Sequence, residues 1–268
     1  IFERGGSEVG VTPIGQRVVA QAQKVLEEGA NLKEIAKQGH DPLSGALRVG
    51  VIYTFSPYLL PQLIPRLIAR TPQMPLLLQE YFTVRLLELL RQGEIDCAIM
   101  ALPLPDAGLV IQPLYDEPFV VAVPKNHPWA HRKSVASEEL KNETMLLLGS
   151  GHCFRDQVLE VCPELARFSA SNDGIQRTFE GSSLETIRHM VASGIGITVV
   201  PKTSVPGHPD GPGMLAYIPF EDPAPDRRVV LAWRKSFPRT QAIEALVAAV
   251  QDCDLNGVTM ISEAAQEV

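Results

Sequence analysis

A chain of 268 residues with 45% hydrophobic content is long enough for one or two folded cores with some extra segments. Its formal net charge of −7 excludes a chain that is, as a whole, a nucleic-acid-binding surface, because phosphate contacts need clustered Lys and Arg, so any DNA is touched by a separate part. No apolar run reaches the length of a membrane span and the N-terminus carries no basic-then-apolar pattern, so a cytoplasmic protein without membrane contacts is expected, and four cysteines are too few for a disulfide scaffold.

Residues 1–12 read as two short strands around Gly5-Gly6, and a start at Ile1 without methionine gives the expectation of a truncated chain. Thr12-Pro13 then supplies a helix N-cap followed by proline at the first helical position. Beyond it, Val18, Ala22, Val25, Gly29, Leu32 and Ala36 step by 4, 3, 4, 3 and 4, which makes a heptad seam. That helix either packs on its own domain or pairs with a second copy. Gly39-His40-Asp41-Pro42 breaks it and forms a hinge.

Residues 46–53 alternate as a strand, and Thr54-Phe55-Ser56-Pro57 turns them into a helix reaching about residue 70, bent or delayed by Pro61 and Pro65. A strand over 76–81, a helix over 83–92 N-capped by Thr83 and ended by Gly93, and a strand over 95–100 complete a β-α-β-α-β alternation. The order implies a parallel sheet covered by helices, with ligands bound beyond the carboxyl ends of its strands, where Thr54 and Thr83 sit. A short strand near Ile111 and an apolar strand over 119–123 follow. A second α/β unit then contains a strand over 144–148, a helix whose capping box is Ser182 with Glu185, and a strand over 197–200. Residues 205–213 read as a surface loop. Strands near 215–218 and 229–233 and a helix over 239–251 return toward the first unit, and the residues after Asp252 read as a tail in which Cys253 is inert.

The stretch around which the rest is organised is Ser150-Gly151-His152-Cys153-Phe154-Arg155-Asp156, continuing to Cys162. It follows a strand and a Gly-Ser-Gly turn, the context of a helix N-terminus, where orphan N–H groups, the dipole, His152 and Arg155 favour a thiolate. If the segment is helical, the two cysteines, nine residues apart, lie about 13.5 Å apart along its axis, whereas a disulfide needs Cα atoms within about 7 Å. Joining them requires the helix to unwind, which is the signature of a redox switch. Other readings of the same residues stay open. Cys162 beside Val158 and Leu159 is equally a small core hydrophobe. His152 is equally a surface cap, Arg155 a salt-bridge partner of Asp156 or Glu160, and Thr54 and Thr83 plain turn and cap residues. Zinc is not expected, because the spacing fits none of its usual ligand patterns.

These features together resemble the LysR-type transcriptional regulators and, within that family, its OxyR-like peroxide sensors. The family likeness rests on Thr12-Pro13-Ile14-Gly15 and Pro57-Tyr58-Leu59-Leu60-Pro61. The narrower one rests on Asp116-Glu117-Pro118, His127-Pro128-Trp129-Ala130, Gly151-His152-Cys153 to Cys162, Ser183-Leu184-Glu185-Thr186 and Gly194-Ile195-Gly196-Ile197-Thr198. The resemblance implies an α/β fold of two subdomains like type II periplasmic binding proteins, preceded by a long linker helix and a remnant of a winged helix-turn-helix. The units expected are the remnant at 1–11, the linker and dimerisation helix at 12–40, regulatory subdomain I at 41–117 and 220–252, subdomain II at 118–219 and a tail at 253–268.

By the same resemblance Cys153 is the peroxidatic cysteine and Cys162 the resolving one. Thr54 and Thr83 line the peroxide pocket, and His152, Arg155 and Asp156 surround the reactive sulfur. The implied partners are hydrogen peroxide, promoter DNA through the absent N-terminal domain, RNA polymerase, and further copies of the chain in a homodimer or homotetramer. No cofactor and no metal are expected. A longer segment between Cys162 and Thr178, and Thr178 in place of a histidine, imply slower disulfide closure. Two competing classes are a LysR-type regulator binding a small organic acid through Arg85 or Arg234, and a thiol peroxidase with turnover.

Overall fold

The computed structural model describes residues 1–5, 8–37, 42–105, 108–163, 178–181, 183–206 and 214–261. Strands β1 (Phe2–Gly5) and β2 (Glu8–Val11) pair antiparallel, and α1 (Pro13–Lys37) follows at once. Thr12 caps α1 as its type and place dictate: its Oγ1 accepts from the Gly15 amide at 2.9 Å. The seam residues Val18, Val25 and Leu32 are 43%, 63% and 67% exposed, so α1 does not bury this stripe within its own chain. The expected hinge at 39–41 lies outside the described residues.

The first lobe is a β-α-β-α-β unit made of β3 (Leu47–Ile52), α2 (Ser56–Arg70), β4 (Leu76–Tyr81), α3 (Thr83–Gln92) and β5 (Cys97–Ala101). β3 runs parallel to both β4 and β5. Gly50 is needed in the middle of β3, because a Cβ there would lie 2.5 Å from the Leu86 side chain of α3. Gly93 takes φ +72° and ends α3 as expected. Pro61 and Pro65 do not delay α2, since one helix runs through both. Pro57, Pro61 and Pro65 are four apart and all exposed, so the carbonyls that lose an intrahelical donor face solvent.

The two strands expected near 111 and over 119–123 are one strand, β6 (Leu109–Pro124). Its prolines are accommodated where the ladder is irregular: Pro113 borders a register shift, and Pro118 stands where β6 changes partners. Beyond β6 come β7 (Met145–Leu148), α4 (Cys153–Val161), β8 (Thr178–Gly181), α5 (Leu184–Ala192), β9 (Thr198–Pro201), β10 (Leu215–Pro219), β11 (Asp226–Arg234), α6 (Thr240–Gln251) and β12 (Thr259–Met260). The first part of β6 pairs with β11, which in turn pairs with β5, and its last part pairs with β9 and β10. Among the described residues this gives one eight-stranded network running through both lobes.

Two hydrophobic cores result. One packs α2, α3 and α6 on β3 and β5; the other gathers Phe119, Leu146, Phe154, Val158, Ile187 and Val199 in the second lobe.

The expected capping box of Ser182 with Glu185 lies outside the described residues at Ser182; Ser183, which precedes α5, makes no side-chain cap bond, and Glu185 meets the Tyr58 hydroxyl of α2 and Arg188 at 2.8 Å. One local expectation is corrected. The segment after Asp252 is not a free tail as far as Ile261. Arg66 and Gln62 bond the Asp252 and Asp254 carbonyls, Cys253 is 5% exposed, and β12 pairs with β6.

Candidate functional site

The carboxyl ends of β3 and β4 each deliver an aromatic residue and then a threonine, Tyr53-Thr54 and Phe82-Thr83, to one side of a small pocket. The other side comes from the second lobe. After β7 the chain turns through Gly151 at φ +95°, a conformation that favours glycine, and presents His152 and Cys153 to the same space. Cys153 is the first residue of α4, at the end of the helix where the dipole is positive. His152 precedes it and is 7% exposed, so it is not a surface cap. Its ring lies edge-on to Phe82 at 4.7 Å and to Tyr53 at 6.0 Å. Arg155 reaches back to donate to the Leu148 carbonyl at 3.0 Å, tying the first turn of α4 to the end of β7.

No disulfide joins the two candidate cysteines, and they belong to different cores. Cys153 packs against the core of the first lobe, while Cys162, 1% exposed, is part of the second. α4 also carries Phe154, which meets Phe119 at 5.0 Å, and Gln157, whose amide donates across the cleft to the Leu102 carbonyl at 2.9 Å. Of the remaining cysteines, burial pushes both the Cys97 and the Cys253 thiols up, which keeps them protonated.

Thr83 does not N-cap α3 as expected. It is the first helical residue, and its Oγ1 is buried without a hydrogen bond. An orphan hydroxyl facing a cavity is a group waiting for a polar ligand. Thr54 is 3% exposed, and its Oγ1 accepts from Arg227 Nη1 at 2.9 Å. Asp156 is exposed in the first turn of α4 and does not line the pocket, although its charge complements the helix dipole there.

Arg227 and its partner Glu117 were not expected as site residues. Their side chains are fully buried and 2.7 Å apart, and Thr203 donates from its backbone and hydroxyl to the same carboxylate. The guanidinium lies 4.1 Å from the Phe55 ring and 4.9 Å from the Phe154 ring, so a buried cation sits between Thr54 and α4. The available signal was phase: Arg227 falls on the strand face that Val229 shares, an odd place for a charge unless it is paired. The cations considered for an organic acid lie elsewhere. Arg85 pairs with Glu88 on an exposed helix face, and Arg234 donates to the Leu90 and Ile95 carbonyls. Among the described residues no cluster of three or more metal-ligating side chains occurs.

The LysR substrate binding domain matches residues 40–253. The hydrogen peroxide-inducible genes activator of Pectobacterium carotovorum is 39% identical over 252 residues, spanning 94% of this chain and 81% of that protein. The chain belongs to the LysR family, among the OxyR proteins. A full-length OxyR variant from Pseudomonas aeruginosa is 48% identical and superposes with a TM-score of 0.78, over 98% of this chain and 83% of that one. A reduced OxyR from Neisseria meningitidis is 43% identical with a TM-score of 0.73, over 82% and 100% respectively. The two-subdomain α/β fold expected from the sequence is thus that of OxyR. No described helix is long and apolar enough to cross a membrane.

Proposed function

We propose that this chain is the sensing part of a hydrogen peroxide-responsive transcriptional regulator, switched by oxidation of Cys153 and closure of a disulfide with Cys162. The observation that carries the reading is the size and lining of the pocket. Cys153, Thr54 and the orphan hydroxyl of Thr83 share a space of about 10 Å³, which suits a molecule little larger than water.

Peroxide held by the two hydroxyls presents an oxygen to the Cys153 thiolate. The S–O bond forms as the O–O bond breaks, giving a sulfenic acid, and the departing hydroxide takes up a proton and leaves as water. Arg227 fixes Thr54 and supplies positive charge behind it. The Cys162 thiolate then attacks the sulfenic sulfur, forming S–S and releasing a second hydroxide that is protonated to water. A cellular dithiol later returns two electrons. Because Cys162 starts in another core and at the far end of α4, closure unwinds the helix, and the changed surface is what the assembly reads. Promoter DNA is bound through an N-terminal winged helix-turn-helix, RNA polymerase is the downstream contact, and α1 joins copies into a homodimer or homotetramer in the cytoplasm. The protein is reset once per signal and does not turn over as a peroxidase.

The test is to titrate the protein with hydrogen peroxide while counting free thiols, then to add a thiol reductant with excess peroxide. Stoichiometric thiol loss supports the sensor. An unchanged thiol count points to an organic effector, and sustained peroxide consumption to an enzyme.

A further inference from the structure

Each threonine of the pocket is preceded by an aromatic residue, and the two rings touch. Phe82 lies edge-on to Tyr53 at 5.3 Å and 72°, and edge-on to His152 at 4.7 Å and 84°. Tyr53 meets His152 at 6.0 Å and 61°, so the three rings form a closed trio in which each is braced by the other two. Phe82 also covers the turn before α4, since a Cβ on Gly151 would stand 3.7 Å from its ring. Phe82 and Tyr53 are 39% and 38% exposed, which places them at the rim of the pocket and not in a core. The ring of Phe82 therefore bridges from the first lobe to the second across the approach to Cys153.

We infer that Phe82, braced by Tyr53, is a size gate that admits hydrogen peroxide to Cys153 and holds out hydroperoxides bearing an alkyl or aryl group. This rests on the peroxide-sensing reading above and names the residue that sets its substrate range. An organic hydroperoxide offers the thiolate the same terminal oxygen and leaves as an alcohol after protonation of its alkoxide. Its carbon group, however, is attached to the leaving oxygen and has to extend out of a space of about 10 Å³ past the rim. To make way, the Phe82 ring must give up its contacts with His152, Tyr53 and the Gly151 turn together.

The experiment compares wild type with Phe82→Ala and with Phe82→Leu, which keeps an apolar side chain if the alanine variant folds poorly. Two ratios are measured at Cys153 by peptide mass spectrometry. One is the rate of oxidation by cumene hydroperoxide over that by hydrogen peroxide. The other is the rate of modification by N-phenylmaleimide over that by methyl methanethiosulfonate. Loss of two aromatic edge contacts is expected to raise both ratios by about tenfold in Phe82→Ala, with Phe82→Leu between. Ratios that stay fixed while all rates fall overturn the gate, because the ring then only orients His152. Ratios that fall overturn it as well, because the ring is then a platform for the organic group. Should hydrogen peroxide leave Cys153 unoxidised in wild type, the sensing function fails, and the two thiol reagents still decide the gate.

Discussion

Truncating Phe154 to alanine puts a number on the unwinding of α4. Phe154 is 2% exposed, wedged between Phe119 and the Arg227 guanidinium, and it follows the cysteine that must leave its place. If oxidation melts the helix, this burial belongs to the reduced state alone, and Phe154→Ala destabilises that state by about 3–5 kcal/mol. Reduction of the disulfide then becomes less favourable, so the two-electron potential moves about 60–110 mV more negative. Gln157→Ala, which removes the bond to the Leu102 carbonyl, is a gentler companion expected to move it about 20 mV in the same direction. Both follow from equilibrating the protein in graded thiol–disulfide buffers and counting blocked thiols by mass. The folded fraction of each reduced variant is checked by urea denaturation. A Phe154→Ala potential within about 20 mV of wild type, or more positive, refutes the reasoning: Phe154 would then be equally buried in both states and α4 would not melt.

Cys153→Ser abolishes fast sulfenic acid formation, whereas Cys97→Ser and Cys253→Ser leave it intact, as read by a sulfenic-specific label; persistent labelling of Cys153→Ser refutes the assignment. Amides from Phe154 to Val161 are protected from hydrogen exchange in the reduced protein and exposed in the disulfide form, and Cys162→Ser keeps them protected after peroxide. Arg227→Met strands the Glu117 carboxylate in the interior and costs about 3–5 kcal/mol in urea denaturation, most of it regained when Glu117→Gln is added; an unshifted midpoint in the single variant rules out the pair as drawn. The chain associates through the exposed stripe of α1, and a purely monomeric sedimentation profile at tens of micromolar counts against that.

The parallel unit of the first lobe was legible because its strands are short apolar runs closed by glycine and threonine signals, as at Gly93 and Thr54. The cysteine helix was legible because the Gly151 turn and the residue types after it leave few other conformations. Misreadings came where tertiary context overrode local signals. Pro61 and Pro65 did not delay α2, because the carbonyls they leave unpaired face water. The strands read separately near Ile111 and over 119–123 are one, because a register shift carries the ladder past Pro113 and β6 changes partners at Pro118. The Arg227–Glu117 pair joins residues 110 apart in sequence, a separation that no local pattern reports.

Strand β6 runs from the first lobe into the second as one strand, changing partners from β11 to β9 at Pro118, and Glu117, beside the crossing, is held by Arg227 and Thr203. Proteins that respond by swinging two lobes about a hinge need a few backbone positions free to absorb the rotation. Here those positions are occupied by a shared, clamped beam, and rotation would cost ladder bonds and expose a buried ion pair. A clamshell response would therefore be costly, and the switch proposed for Cys153 and Cys162 calls instead for local change in the short segment between them, to be felt by a neighbour that rests against it.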